Sequence, residues 1–259
     1  MAASVLGFDV AKETDRIISF VREVVTEASA KGAVVGLSGG VDSAVVGSLC
    51  VRALGKDKVL GLFMPSYHTP KQDMEDARFL AEAWGIRAES IPISSIAEAI
   101  SGPARVAGTK LARANVEARV RMSILYYHAN SLGYLVAGTG DRSESLLGYF
   151  TKWGDGGVDF LPIAHLYKSQ VRVLAEYLGL PPGVARKPAS PQLWPGHKAS
   201  DEIPADYDKL DIVLRYLFDL RANPAKAARE ARVSMGVVNR VLEMHRKTQH
   251  KRTMPPSLT

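Results

Sequence analysis

The sequence predicts an α/β protein in three layers, a parallel sheet flanked by helices, followed by a helical C-terminal part. Two observations carry that expectation. Apolar runs of strand length alternate with amphipathic stretches, the pattern of parallel strands joined by covering helices. The composition, 46% hydrophobic and 23% charged over 259 residues, is that of an ordinary globular chain large enough to bury a core without a disulfide or metal staple.

Residues 11–29 read as a helix and 33–37 as a buried strand. The turn Ser38-Gly39-Gly40 opens a second helix reaching about residue 54, with Val46, Leu49, Cys50 and Ala53 on one face. Cys50 therefore reads as a small core residue rather than a nucleophile. A second strand, 59–64, stops at Pro65, and a helix over 70–84 leads to a third strand at 87–93. Gly102, Pro103 and Gly108 mark a loop with the composition of a mobile segment. A long helix over 111–132 carries Val116, Val120, Ile124 and Tyr127 at helical spacing, and a fourth strand covers 134–139. A further helix starts near Lys168, buries Val171, Leu174 and Leu178, and stops at Gly179-Leu180-Pro181-Pro182. Residues 183–205 are rich in Pro, Gly and Ser and read as a long loop. From Tyr207 the chain reads as helical in two or three pieces. With no repeat, low-complexity tract or linker, the expectation is one domain over 1–259.

The single cysteine excludes an intramolecular disulfide and CxxC chemistry, and fits a reducing cytoplasm. The first residues lack a basic region followed by an apolar core, so no secretory signal is expected, and no apolar run has the length to span a bilayer. A net charge of +6 favours anionic partners without choosing among them, and part of the excess sits in the basic end from His245 to Arg252.

The strongest chemical signal is Gly36-Leu37-Ser38-Gly39-Gly40-Val41-Asp42-Ser43, between a strand and a helix. Paired glycines bring backbone N–H groups against an anion, and the helix N-terminus adds unpaired N–H groups and the positive end of its dipole. Ser38 and Ser43 can donate hydroxyls to phosphate oxygens. Asp42 beside polyphosphate suggests a bound Mg²⁺. The loop lacks the lysine of the Walker motif and is not GxGxxG. It resembles the SGGxDS loop of the N-type ATP pyrophosphatases, which cleave ATP between the α and β phosphates and transfer AMP to an acceptor oxygen. That resemblance implies the Rossmann-like fold of the adenine nucleotide alpha hydrolases.

A second block narrows the resemblance. Gly138-Thr139-Gly140-Asp141-Arg142-Ser143-Glu144, then Phe150-Thr151-Lys152, Gly154-Asp155-Gly156-Gly157, Asp159, Pro162 and Lys168 follow in order. This run is similar to the NAD synthetase family, and the resemblance covers nearly the whole chain, from Asn115 and Arg119 to His250-Lys251-Arg252. It implies amidation of deamido-NAD (nicotinic acid adenine dinucleotide) through an adenylate, with ATP as co-substrate and AMP and pyrophosphate as products. It further implies that residues 36 to 43, Thr139, Lys168 and Ser190 bind ATP, and that Asp42 and Glu144 hold Mg²⁺. Asp42, Glu144 and Lys168 would be the catalytic set. Arg119, Lys152, Asp159, His250 and Lys251 would bind deamido-NAD, Asp159 by hydrogen-bonding a polar group. Holding a dianionic pyrophosphate with its carboxylate beside a triphosphate needs such cations, because the two anions repel.

Glutamine-dependent relatives carry a glutaminase part with its own cysteine. The chain has no room for one, and its only cysteine lies in the helix after the phosphate loop, so ammonia is the expected nitrogen source. Relatives are homodimers, which implies a dimer here, with neither membrane nor nucleic acid as partner. Ser190-Pro191-Gln192 departs from the usual Ser/Thr-Ala-Asp of the relatives. Two alternatives stay open on the residues alone: a tRNA-thiolating enzyme with the same loop, and a DNA-binding regulator, because residues 228–242 resemble a helix-turn-helix.

Overall fold

The computed structural model describes residues 7–103, 105–188, 196 and 202–258. Four strands, β1 (Ala33–Gly36), β2 (Val59–Phe63), β3 (Arg87–Ser90) and β4 (Leu135–Ala137), form one parallel sheet in the order β3-β2-β1-β4. An isolated parallel bridge between Ala137 and Phe160 extends it beyond β4. The chain winds outward from β1 through β2 to β3, then returns to the other side for β4. Connections leaving β1 and β4 thus diverge, and a crevice opens at the C-terminal edge between them, the place where open α/β sheets bind ligands. The glycine-rich turn after β1 and the polar turn after β4 border that crevice.

Strands β1, β2 and β4 read as continuous apolar runs because helices cover both faces, whereas the edge strand β3 is polar and only partly covered. Alternation assigns the sides. Val34, Leu60, Leu62 and Val136 point into a cluster with Ile93, Val120 and Ala129, closed by α4 (Ser94–Ser101) and α5 (Lys110–Leu132). Val35, Val59, Phe63 and Ala137 point the other way, into a cluster built on α1 (Val10–Glu27), α2 (Val41–Leu54) and α3 (Lys71–Trp84). Cys50 is fully buried there, and burial pushes its thiol up to about 12, which keeps it protonated and inert.

The C-terminal part has a core of its own. It joins α6 (Arg142–Leu147) and Tyr167, the N-cap of α7 (Lys168–Tyr177), to α9 (Tyr207–Leu214), α10 (Pro224–Ala231) and α11 (Met235–Lys247) through Leu147, Leu210, Leu214, Val238 and Val241, and the short α12 (Gln249–Arg252) follows without a buried residue. The helix α9 continues into a π-helical turn, Arg215–Asp219, so this region has more pieces than expected. A four-residue helix, α8 (Pro182–Ala185), also lies where a loop was expected. Among the described residues no helix is long and apolar enough to cross a membrane.

Element ends shift by a few residues, and α4 departs from the expectation of an irregular segment. The largest departure is on α5. Tyr127, expected on the packed face, is 70% exposed. Val120 is buried, Val116 and Ile124 pack half-buried against the same core, and all four residues of the stripe border a surface groove shared with Ile96 and Ile100 of α4.

Candidate active site

The phosphate loop is shaped from behind. Leu37 N donates to Leu62 O at 2.9 Å, carrying the sheet pairing one residue past β1. Gly39 then takes a φ of +77°, and a Cβ there would lie 2.2 Å from the Asp73 carbonyl oxygen, so only glycine lets the loop rest on the first turn of α3. Ser43 Oγ donates to Gly40 O at 3.0 Å and accepts from Ser38 N at 3.2 Å. The Ser38 and Ser43 hydroxyls are 3.1 Å apart. The helix α2 starts at Gly40 without a side-chain cap, leaving its first-turn N–H groups for an anion.

Opposite the loop, a capping box fixes the turn after β4. Asp141 Oδ1 accepts from Glu144 N at 2.8 Å, and Glu144 Oε2 accepts from Asp141 N at 3.3 Å. Between loop and turn stands Lys168 from the start of α7, with only 1% of its surface exposed. Its Nζ lies 2.8 Å from both Asp42 carboxylate oxygens, 2.9 Å from Glu144 Oε1 and 3.0 Å from Asp141 Oδ2. The Tyr207 ring covers the ammonium at 5.5 Å.

Three carboxylates around one ammonium carry a net charge of −2 when all are ionised. Burial raises the Asp141 carboxyl above the usual range, with Lys168 opposing and Asp42 reinforcing the rise. Burial first, and then the charges of Asp141 and Asp42, push Glu144 up to about 8 against the pull of Lys168. Burial works against the Lys168 ammonium, yet Asp141, Asp42 and Glu144 outweigh it and hold its pKa well above the ordinary value. Among the described residues no three His, Cys, Asp or Glu side chains form a ready ion cage; the acidic residues converge on Lys168 instead.

Asp211 holds the two sides of this cluster in register. It is fully buried on α9, accepts from Ser143 Oγ at 2.6 Å and from Ser169 N at 2.8 Å, while Lys168 N donates to Ser143 Oγ at 3.0 Å. Asp211→Ala leaves Ser169 N and Ser143 without their acceptor, with an expected loss of about 2–3 kcal/mol. Burial pushes Asp211 up to about 6, above its ordinary 3.8. Its contribution is therefore full below the ordinary value and declines as pH rises through about 6. Chemical denaturation of wild type and Asp211→Ala should show a wider stability gap at pH 5 than at pH 7.5.

The cations expected to bind the dinucleotide come together within one chain. An Arg119 guanidinium N–H on α5 donates to Lys152 O at 3.3 Å, and Lys152 Nζ donates to His250 O at 2.5 Å. Lys251 Nζ donates to Gly148 O at 2.7 Å and Phe150 O at 2.6 Å. Gly148, at φ +68°, permits this closure, because a Cβ there would meet the Thr248 side chain at 2.1 Å. Thr139 is half-buried in the turn after β4. Asp159 Oδ1 accepts from Tyr126 Oη at 2.9 Å and its Oδ2 from Val136 N at 2.7 Å, so its carboxylate also anchors β4. Ser190 lies outside the described residues.

The residues given no role by the sequence are Asp141 and Asp211. Asp141 had a legible signal, the Asp-x-x-Glu spacing of a capping box. Asp211 falls among the positions of the family resemblance, but its partners, 68 and 42 residues away, could not be read from it. The segment resembling a helix-turn-helix is the α10–α11 pair, and its Ala227, Ala228, Ala231, Val238 and Val241 are buried in the C-terminal core.

Compared with known proteins, residues 13–255 match the family model described as NAD synthase. The chain belongs to the NAD synthase family. It is 49% identical to the NH(3)-dependent NAD(+) synthetase of Staphylothermus marinus, over 97% of this chain and 91% of that one. With the protein of the same name from Hyperthermus butylicus the identity is 50%, over 93% and 88%. Among solved NAD synthase folds, the NMN synthetase of Francisella tularensis superposes with a TM-score of 0.87 at 32% identity, covering 97% of this chain and 99% of that one. The NH3-dependent NAD synthetase of Campylobacter jejuni, in complex with nitrate, gives 0.84 at 33% identity, over 97% and 100%.

Proposed function

We propose that this NAD synthase family member amidates deamido-NAD to NAD with ammonia, activating the carboxylate with ATP. The observation that carries the reading is the meeting of the phosphate loop with Asp42, Asp141, Glu144 and Lys168 at the sheet's switch point. Relatives named NH(3)-dependent NAD(+) synthetases support the acceptor and the nitrogen donor.

In the first step a carboxylate oxygen of deamido-NAD attacks the α-phosphorus of ATP. The bond from that phosphorus to the β-phosphate bridging oxygen breaks, giving an NAD-adenylate and pyrophosphate. Ammonia then attacks the activated carbonyl carbon, loses a proton, and AMP leaves with the bridging oxygen. The acceptor is already a nucleophile, so no Ser–His or Cys–His pair is needed. The loop N–H groups, Ser38 and Ser43 cradle the phosphates, with Thr139 and Ser190 completing the ATP set, and Lys168 stabilises charge as pyrophosphate departs.

Asp42 with Glu144 offers the one or two carboxylates that Mg²⁺ takes beside substrate phosphates, and a bound divalent ion would favour the ionised form of Glu144. Bound there, Mg²⁺ would neutralise phosphate charge and leave Lys168 to turn toward the nucleotide. Arg119, Lys152, His250 and Lys251 form the basic patch for the dinucleotide pyrophosphate. Asp159 reaches a polar substrate group only by accepting a further hydrogen bond beside those from Tyr126 and Val136.

The reading takes the chain as one cytoplasmic domain that pairs as a homodimer. The exposed apolar groove of Ile96, Ile100, Val116, Ile124 and Tyr127, with Arg119 on its border, is the surface a second copy would cover. Purified protein with ATP, Mg²⁺, deamido-NAD and an ammonium salt is expected to form NAD and AMP in equal amounts. Nicotinic acid mononucleotide run in parallel separates this reading from the NMN synthetase alternative raised by the Francisella neighbour. Absence of product with both acceptors refutes the reading, and turnover of the mononucleotide alone reassigns the substrate.

A further inference from the structure

Lys187 follows α8 and reaches back across the fold to the phosphate loop. Its Nζ donates to Gly39 O at 2.8 Å, to Asp73 Oδ1 at 2.9 Å and to Asp76 Oδ2 at 2.5 Å. An ammonium has three protons, so each is committed and none is left for a phosphate. The group is mostly buried, and Asp73, on the first turn of α3, is buried beside it. Lys187 is thus a strut behind the loop rather than a ligand in front of it.

We propose that Lys187 is a positioning residue for ATP binding: by fixing the Gly39 carbonyl, it aims the Gly40 N–H at the nucleotide phosphates. The inference rests on the ATP-dependent reading of the loop. In a trans peptide the C=O and the following N–H point to opposite sides. Anchoring the Gly39 oxygen on the α3 side therefore turns the Gly40 N–H outward. That N–H makes only a long 3.3 Å contact with Ser38 Oγ, so an anion can take it over. Glycine at φ +77° is the residue type most able to flip its peptide, and the loop's other internal bonds, between Ser38, Gly40 and Ser43, leave the Gly39 oxygen unheld. Lys187 has a second effect of the same sign. It offsets one of the two negative charges of Asp73 and Asp76, which would otherwise both face the phosphates from behind the loop.

The test is equilibrium binding of a non-hydrolysable ATP analogue with Mg²⁺ to wild type, Lys187→Met, Lys187→Arg and the neighbouring surface control Arg186→Ala, with KM values for ATP and deamido-NAD alongside. Lys187→Met is expected to weaken analogue binding and raise the KM for ATP at least tenfold, with the KM for deamido-NAD changed less than twofold. Lys187→Arg should recover most of the loss, and Arg186→Ala should match wild type. Should Lys187→Met not fold, Lys187→Gln keeps a single donor and is expected to show the same split in smaller measure. Analogue binding within twofold of wild type in the folded variant, or an equal rise in both KM values, overturns the proposal. Failure of wild type itself to bind the analogue overturns the ATP reading instead.

Discussion

Lys168→Met is expected to lower stability by about 3–5 kcal/mol, the cost of removing one partner from a buried ionic cluster. Asp141 is fully buried, and Asp42 and Glu144 are mostly so; without the ammonium all three face one another uncompensated. The loss has a defined pH dependence. Lys168 now lowers the pKa values of Asp141 and Glu144, both already raised by burial, so its removal raises them further. Carboxyls raised in the folded state contribute fully at low pH and lose that contribution as pH rises through the folded pKa. Lys168→Met should therefore be nearest to wild type at pH 5 and fall away from it toward pH 8.5. Guanidinium denaturation at several pH values checks both the size and the direction. A pH-independent loss would mean that Lys168 acts through packing alone.

Asp42→Asn separates chemistry from folding. Asparagine keeps an oxygen beside Lys168 Nζ and a similar volume, so stability should change by no more than about 1 kcal/mol. Turnover should fall on the order of 100-fold or more, because the variant loses the charge that holds a divalent ion against the phosphates. The apparent Mg²⁺ requirement should rise at the same time, since the cluster loses one negative charge. Titrating Mg²⁺ at saturating ATP and deamido-NAD measures this. Wild-type turnover in a folded Asp42→Asn protein would remove Asp42 from the proposed metal pair.

The sheet was legible in the sequence wherever burial is two-sided. Residues 33–36 and 59–63 lie between helices on both faces, so their apolar runs have no competing explanation. The phosphate loop was legible because its glycines and serines serve local geometry, which sequence carries directly. Two helices escaped for opposite reasons. In α4, Ile96 and Ile100 point outward into a groove, so the apolar spacing does not mark a core face. In α8, four residues among prolines and glycines are too few to set a period.

At the site, type and location were legible but pairing was not. Lys168 stood out as a cation, yet its capture by Asp42, Asp141 and Glu144 depends on how α2, α6 and α7 meet. Asp159 shows the same limit. Nothing local indicates that its carboxylate bonds Val136 N on β4 and the Tyr126 hydroxyl on α5. Lys187 falls among the positions of the family resemblance, yet its pairing with Gly39, 148 residues away, could not be read from the sequence.

The central claim is that ATP activates the acceptor carboxylate by adenylation, and oxygen labelling tests it directly. Deamido-NAD carrying ¹⁸O in its nicotinate carboxylate, turned over with ATP, Mg²⁺ and ammonium, should yield AMP with one ¹⁸O on its phosphate and unlabelled pyrophosphate. Formation of ADP with the label in inorganic phosphate, or of NAD with unlabelled AMP, would contradict it.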